Sequence, residues 1–140
     1  MLLRSAVLIA ASLAFVSLSA YPQVPLELKK LPQQLEGKWE NTERCCFSGP
    51  IRVAVNSQAP DGKLTGTYFR TTPDGQHCSI KGDPVPMTGT FDGTTLVIKP
   101  EIKQRFCEDS QFTFDLKPSG RFEGTGTSYF QLKAYLEEKK

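Results

Sequence analysis

The stretch DGKLTGTYFR at residues 61–70 sets the pattern of this chain, because parts of it occur twice more. SGRFEGT at residues 119–125 repeats most of it, and PMTGTFD at residues 86–92 repeats its second half. Each copy adjoins a turn signal in which Asp or Ser precedes glycine, and each contains the threonine and aromatic residues that favour strands. The pattern therefore predicts antiparallel β-hairpins.

Residues alternate along the first copy between an apolar face and a polar face. The apolar face carries Leu64, Gly66 and Tyr68, and the opposite face carries threonines and charges. Alternation with period two indicates a strand that is buried on one side. A glycine in the middle of the buried face suits a strand that bends as a small barrel closes. A twisted β-sandwich is the alternative architecture that the same pattern allows.

Strands of this kind are predicted along the rest of the chain. The predicted strands lie at residues 37–43, 51–56, 63–70, 85–91, 94–99, 111–116, 121–128 and 130–136. The last one is ambiguous, because residues 131–140 also contain good helix formers and an apolar spacing that a helix would show. Consecutive antiparallel strands in this number predict an all-β fold, an eight-stranded antiparallel up-and-down β-barrel.

The first twenty residues have the composition of a secretory signal peptide, with Arg4 ahead of an apolar run at residues 6–18. The run is shorter than the ~20 residues of a membrane-spanning helix. We therefore expect a soluble protein that is secreted (extracellular) or periplasmic, with no membrane span in the mature chain. Residues 21–36, which hold three prolines, are expected to form an extended leader on the outside of the fold. Residues 37–140 are expected to form a single barrel domain.

The composition argues against several classes of function. The formal net charge of +2 is small and is not gathered into a basic stripe, so nucleic acid is not expected as a partner. An enzyme is not expected, because His77 is the only histidine and no nucleophile elbow or phosphate-binding glycine loop is present. Glu108 and Asp109 are adjacent and would point apart on a strand. No cofactor is expected.

The four cysteines are Cys45, Cys46, Cys78 and Cys107, and an even number in an exported chain indicates two disulfides. They lie in the connections after the first, third and fifth predicted strands, which open at the same end of an up-and-down barrel. A bond between the adjacent Cys45 and Cys46 would need a strained ring, so we expect each to pair with Cys78 or Cys107. A zinc site from the same cysteines and His77 is the alternative, but no Cys-x-x-Cys spacing supports it.

Four segments resemble the avidin and streptavidin family, in the broad class of barrels that includes the lipocalins. They are GKWEN at residues 37–41, AVNS at 54–57, LTGTY at 64–68 and MTGTF at 87–91. The resemblance implies that Asn41 and Tyr68 hydrogen-bond the ureido oxygen of biotin or of a similar ligand. It also implies that the ligand enters at the barrel end where the cysteine-bearing connections open.

The chain departs from the family pattern at positions that would contact biotin. A serine that binds the same oxygen is replaced here by Cys45, a hydroxyl residue near the tyrosine is replaced by Arg70, and the tryptophans of later strands are missing. Trp39 is the only tryptophan, and its simplest role is a plug at one end of the core. The aromatic residues that can replace the missing tryptophans are Phe91, Phe112, Phe114 and Phe130.

We therefore predict a binding protein that holds a small molecule, biotin-like or flat and apolar, in the mouth of the barrel. The predicted ligand-binding residues are Asn41, Tyr68, Arg70, Phe91, Phe112 and Phe114. The alternative is a protein-interaction module or inhibitor, in which disulfide-stapled loops on a filled barrel contact an extracellular protein. The sequence leaves open whether the barrel is hollow or filled by its own side chains.

Overall fold

The computed structural model describes residues 28–43, 48–70, 83–102, 111–127 and 131–140. These residues form eight β-strands. The strands are β1 (Gln34–Asn41), β2 (Ser48–Gln58), β3 (Lys63–Arg70), β4 (Val85–Phe91), β5 (Thr95–Pro100), β6 (Gln111–Leu116), β7 (Phe122–Thr127) and β8 (Gln131–Glu138). No helix in the described part of the chain is long and apolar enough to cross a membrane.

Each strand pairs with the next one along the chain, and β8 pairs with β1, so that the sheet closes on itself. All these pairs are antiparallel. The predicted eight-stranded up-and-down barrel, which is consistent with a calycin-like fold, is confirmed, and the sandwich alternative is wrong. In the closing pair Trp39 lies opposite Ala134, and Gly37 lies opposite Leu136.

The first two strands are longer than the sequence predicted. β1 begins at Gln34 rather than at residue 37, because Leu35 continues the ladder by pairing with Val53 of β2. β2 starts at Ser48, and its register with β3 shifts between Val55 and Ser57. A bulge of this kind bends a strand locally and suits a closing barrel.

The ambiguous C-terminal segment is a strand. Leu132 and Leu136 are buried, and Tyr135 between them is half-buried on the outer face. β8 forms backbone pairs on both sides, with β7 and with β1. These hydrogen bonds override the helix propensity of individual residues, which is worth less than ~1 kcal/mol for each of them.

The core is made of the inward-facing side chains of all eight strands, which alternate with outward-facing residues. Its members on the strands are Leu35, Trp39, Ile51, Val53, Leu64, Tyr68, Met87, Phe91, Leu96, Ile98, Phe112, Phe114, Phe122, Leu132, Ala134 and Leu136. Gly66 lies within this face of β3, and a Cβ there would overlap the carbonyl oxygen of Ala54. Glycine at this position permits the close approach of β2 and β3.

The connections between the strands divide the barrel into two ends. Short turns after β2, β4 and β6 form one end, which we call the turn end. The connections after β1, β3, β5 and β7 form the other end, which we call the mouth. Residues of the mouth connections that lie outside the described residues are 44–47, 71–82, 103–110 and 128–130. The predicted disulfides of Cys45, Cys46, Cys78 and Cys107, the zinc alternative and His77 all fall there.

The described end of the leader packs against the barrel, and Leu31 joins the core. The Leu31 backbone N–H donates to Oε1 of Gln58 at 2.9 Å, and Nε2 of Gln58 donates to the Lys29 carbonyl at 3.1 Å. The Gln33 carbonyl accepts a hydrogen bond from the backbone N–H of Val55 at 2.8 Å. The side-chain amide of Gln58 thus pairs with the leader much as a neighbouring strand would. The predicted signal peptide lies outside the described residues.

The turn between β4 and β5 is organised by the Asp92 carboxylate. Its Oδ1 accepts hydrogen bonds from the Thr95 N–H at 2.7 Å, from the Thr94 N–H at 2.8 Å and from the Thr94 hydroxyl at 3.0 Å. The backbone donors of Thr95 and Thr94 stabilise the ionised carboxylate and hold the pKa of Asp92 below its ordinary value. Gly93 completes the turn with a φ of 102°.

We expect Asp92→Ala to lower the melting temperature at neutral pH, and Asp92→Asn, which keeps an accepting oxygen, to lower it less. Because the pKa of Asp92 is lower in the folded chain, its charge adds stability above the pKa of the unfolded chain, about 3.9. That contribution is lost as the pH falls through the folded-state pKa. Thermal unfolding measured between about pH 7 and about pH 2 tests this sign. A gap between wild type and Asp92→Asn that stays constant over this range would contradict it.

Candidate functional site

Tyr68 and Arg70 face the interior at the mouth end of β3. The side chain of Tyr68 is 0% exposed and that of Arg70 is 3% exposed. They pair with Val53 and Ile51 of β2, so both belong to the buried face of the strand. Arg70 is the one buried charged residue found within the described ranges. A charge in a barrel interior loses its hydration and requires a compensating partner.

The Arg70 guanidinium lies over the indole ring of Trp39, with its central carbon 5.1 Å from the ring centroid. This is a cation–π contact inside the barrel. Burial lowers the pKa of Arg70, but an arginine keeps its proton in a protein. Its Nε and Nη2 atoms are buried, and neither has a hydrogen-bond partner among the described residues. Within the described part of the chain, the interior therefore holds a positive charge with two donors that no acceptor engages.

Tyr68 adds a third buried polar atom, its hydroxyl oxygen, which also lacks a partner in the described part of the chain. Its ring lies 5.8 Å from that of Phe112, and Phe112 stacks on Phe114 at 5.8 Å with 12° between the ring planes. Burial holds the pKa of Tyr68 above its ordinary value, and the charge of Arg70 only partly opposes this. The hydroxyl therefore stays protonated and can donate to an acceptor.

Without a partner, these three polar atoms would each destabilise the fold. A buried hydroxyl without a partner costs about 1–3 kcal/mol, and an unpaired charged group costs more. Buried polar groups in proteins almost always have partners, so these three atoms mark this end of the barrel as a candidate binding site. A ligand with acceptor oxygens would offset the lost hydration of Tyr68 and Arg70.

Two other arginine–aromatic pairs lie on the outer face of the barrel and show what is particular to Arg70. Arg52 lies over the ring of Phe69 at 5.1 Å, and Arg121 lies over the ring of Tyr135 at 4.2 Å. Arg52 is exposed and Arg121 is half-buried, so water can satisfy their donors. Arg70 makes the same type of contact without that access.

Asn41 lies at the mouth, where β1 ends, and is half-buried. Its Oδ1 accepts a hydrogen bond from the backbone N–H of Glu43 at 2.8 Å. The side-chain oxygen therefore stabilises the local turn after β1. The position at the mouth fits the predicted role in ligand binding, and the group that Asn41 would offer to an acceptor oxygen is its amide nitrogen.

The predicted aromatic wall residues lie in two separate places. Phe112 lies beside Tyr68, and Phe114 stacks on the ring of Phe112. Phe91 lies at the turn end, where its ring meets Phe122 edge-on at 5.8 Å and its N–H donates to the Gly62 carbonyl at 2.8 Å. Arg70 is at the opposite end of the barrel. Phe130 lies outside the described residues.

The barrel is filled at the level of Tyr68. Tyr68, Phe112 and Phe114 are each completely buried, so solvent does not reach any of the three side chains. Eight-stranded barrels are just wide enough for side chains to fill them. A ligand can reach the Tyr68 and Arg70 donors only if groups at the mouth move.

Sequence reasoning missed the contact between Trp39 and Arg70. It predicted Trp39 as a plug in the core, which its burial confirms, and it placed Arg70 at the mouth without stating that the guanidinium is buried. The sequence contained a signal for this burial, because Arg70 is an even number of residues from Leu64 and Tyr68 and therefore lies on the same face of β3. Extending the alternation by one more step predicts an inward-facing arginine.

No family model, curated protein or solved structure matches this chain. The features of the molecule that bear on function are therefore the closed barrel and the buried donors of β3.

Proposed function

We propose that this chain is a secreted or periplasmic binding protein that holds a small molecule at the mouth of an avidin-like barrel. The observation that carries the proposal is the set of buried donors, the Tyr68 hydroxyl and Nε and Nη2 of Arg70, which have no partner among the described residues. Small-molecule sites are mostly apolar and contain a few polar groups that fix the orientation of the ligand. Tyr68 and Arg70 within an aromatic interior fit that description.

The proposed ligand is flat and partly apolar, as biotin is. Phe112 lies beside Tyr68 and stacks on Phe114, so a ligand that enters when the mouth opens would meet aromatic surface there. The resemblance to the avidin family supports a carbonyl oxygen near Tyr68 and Asn41. In an apolar interior a hydrogen bond from the Tyr68 hydroxyl to that oxygen would be stronger than the same bond in water.

Binding is expected to require opening of the mouth, because Tyr68, Phe112 and Phe114 have no exposed area. A conformational step of this kind lowers the association rate below that of an open cavity. Slow association in stopped-flow measurements would agree with the buried position of the donors.

Calorimetric titration with biotin and a panel of flat heterocycles tests the proposal. We expect heat of binding from at least one compound, and we expect Tyr68→Phe to weaken its affinity roughly tenfold through loss of one hydrogen bond. The same substitution removes an unpaired buried hydroxyl, so the variant should be at least as stable as wild type without ligand. The proposal fails if no compound gives heat with the folded wild-type protein.

A protein-interaction module or inhibitor is the second candidate, and the filled interior favours it. A barrel packed with its own side chains is a rigid scaffold, and loops on rigid sheets often carry recognition. Capture of an extracellular protein from the native medium, equally by wild type and by Tyr68→Phe, would favour this function if the small molecules give no heat. Loss of a small-molecule signal in Tyr68→Phe would favour the first.

A further inference from the structure

We infer that the ligand of the proposed site carries a carboxylate group, which Arg70 binds side-on through Nε and Nη2. This inference rests on the proposed small-molecule function and names the chemical class of the ligand. The carboxylate would lie at the mouth, and the flat body of the molecule would extend inward toward Tyr68, Phe112 and Phe114. Three features of the described residues support this arrangement, namely the geometry of the donors, their charge and their order along β3.

The first feature is the geometry of the unpaired donors. Nε and Nη2 lie on the same edge of the planar guanidinium, and both are buried without a partner among the described residues. Their N–H bonds are nearly parallel and match the two oxygens of a carboxylate. The central carbon of the guanidinium lies over the Trp39 ring, 5.1 Å from the ring centroid, and this cation–π contact provides no acceptor for Nε or Nη2. A single carbonyl oxygen can accept from both donors only through bent hydrogen bonds, which are weaker than two straight ones.

The second feature is charge. The four ion pairs among the described residues join partly exposed side chains, and none of them includes Arg70. A single carboxylate would neutralise the one positive charge that the described residues place in the interior. A phosphate dianion would leave an excess negative charge in the same apolar surroundings, where unpaired charge is strongly disfavoured. The interior therefore favours a monoanion.

The third feature is the order of the groups along β3. Arg70 is the last residue of the strand, and Tyr68 lies two positions further from the mouth on the same face. Residues spaced in this way on a strand are separated by roughly 6–7 Å. The carboxylate would therefore lie nearer the mouth than a second acceptor oxygen of the ligand, and aromatic surface from Phe112 would lie beside that second oxygen.

The test compares carboxylates with their neutral amides, which have nearly the same shape. The probes are benzoate with benzamide, biotin with biotinamide, and inorganic phosphate. Binding is followed by calorimetry and by the fluorescence of Trp39, which is the only tryptophan in the chain and lies against the guanidinium. We expect wild type to bind a carboxylate at least about tenfold more tightly than the matched amide, as hydrogen bonds to charged groups would give.

Two variants of Arg70 separate charge from shape. Arg70→Met should bind the acid and the amide of each pair equally, whereas Arg70→Lys should keep a reduced preference for the acid because it retains the charge but not the paired donors. Circular dichroism confirms that each variant is folded.

Equal affinity of wild type for acid and amide would overturn the carboxylate inference and leave the proposed binding function standing. Tighter binding of phosphate than of either carboxylate would also overturn it. No binding of any probe or heterocycle would overturn both.

Discussion

Arg70→Met is expected to raise the free energy of unfolding by about 1–4 kcal/mol in the absence of added ligand, although most core substitutions destabilise a protein. The variant removes a buried charge and two donors that have no partner among the described residues. Methionine has a flexible chain of suitable length and keeps an apolar contact with the ring of Trp39. The gain comes from desolvation that the variant no longer requires.

Urea denaturation of both proteins measures this difference, and an unchanged m-value shows that the same amount of surface is exposed on unfolding. Ile51→Met is the matched control, because Ile51 pairs with Arg70 across β2 and β3 and is equally inaccessible. That conservative change should lower stability by at most about 1.5 kcal/mol. A loss of stability in Arg70→Met greater than that in the control would show that the charge of Arg70 is compensated in the folded protein, and it would remove the main argument for an anionic ligand.

A stabilising result would also explain why the arginine is there. A residue that weakens the fold and can be improved by a single substitution has the usual property of a binding group, whose function conflicts with maximal stability. The same Arg70→Met variant is expected to lose the preference for carboxylates. Stability and binding would then change in opposite directions at one position.

Most of the barrel could be predicted from the sequence because period-two alternation is a local signal. It gave the strands, their buried faces and the inward position of Tyr68 correctly. The alternation placed the start of β1 too late. The strand begins earlier because Leu35 pairs with Val53 of β2, and this pairing leaves no local signal in the sequence. The alternation could not decide between helix and strand near Tyr135, because pairing with β7 and β1 settles that point.

The site was harder to predict because its decisive contacts join residues that are distant in sequence. Burial of Arg70 follows from parity along β3, but the position of Trp39 against it depends on closure of the barrel. The hydrogen bonds of Gln58 to the leader span 27 and 29 residues and leave no local pattern. Asn41 is the reverse case, because its bond to the Glu43 N–H is local and is typical of asparagine at the end of a strand.

Phe112 and Gly126 form a complementary pair that gives the second large expected effect. They lie opposite each other in β6 and β7, and a Cβ on Gly126 would overlap the ring of Phe112. The Phe112 ring therefore occupies the space that a side chain at position 126 would need. Phe112→Ala should lower the free energy of unfolding by about 3–5 kcal/mol, because it deletes a completely buried ring and leaves a cavity.

Gly126→Ala alone should cost about 1–3 kcal/mol by overpacking, but it should cost much less in the Phe112→Ala background, where the ring is gone. Gly124→Ala is the matched control, since a Cβ there would meet the backbone of Thr113 and Phe114 rather than a ring. Its cost should be the same with and without Phe112. Urea denaturation of the single and double variants gives the coupling energy of Phe112 with Gly126 and that of Phe112 with Gly124. If the Phe112 and Gly126 changes add to within about 0.5 kcal/mol, the two residues do not share this space, and the proposed reason for glycine at position 126 is wrong.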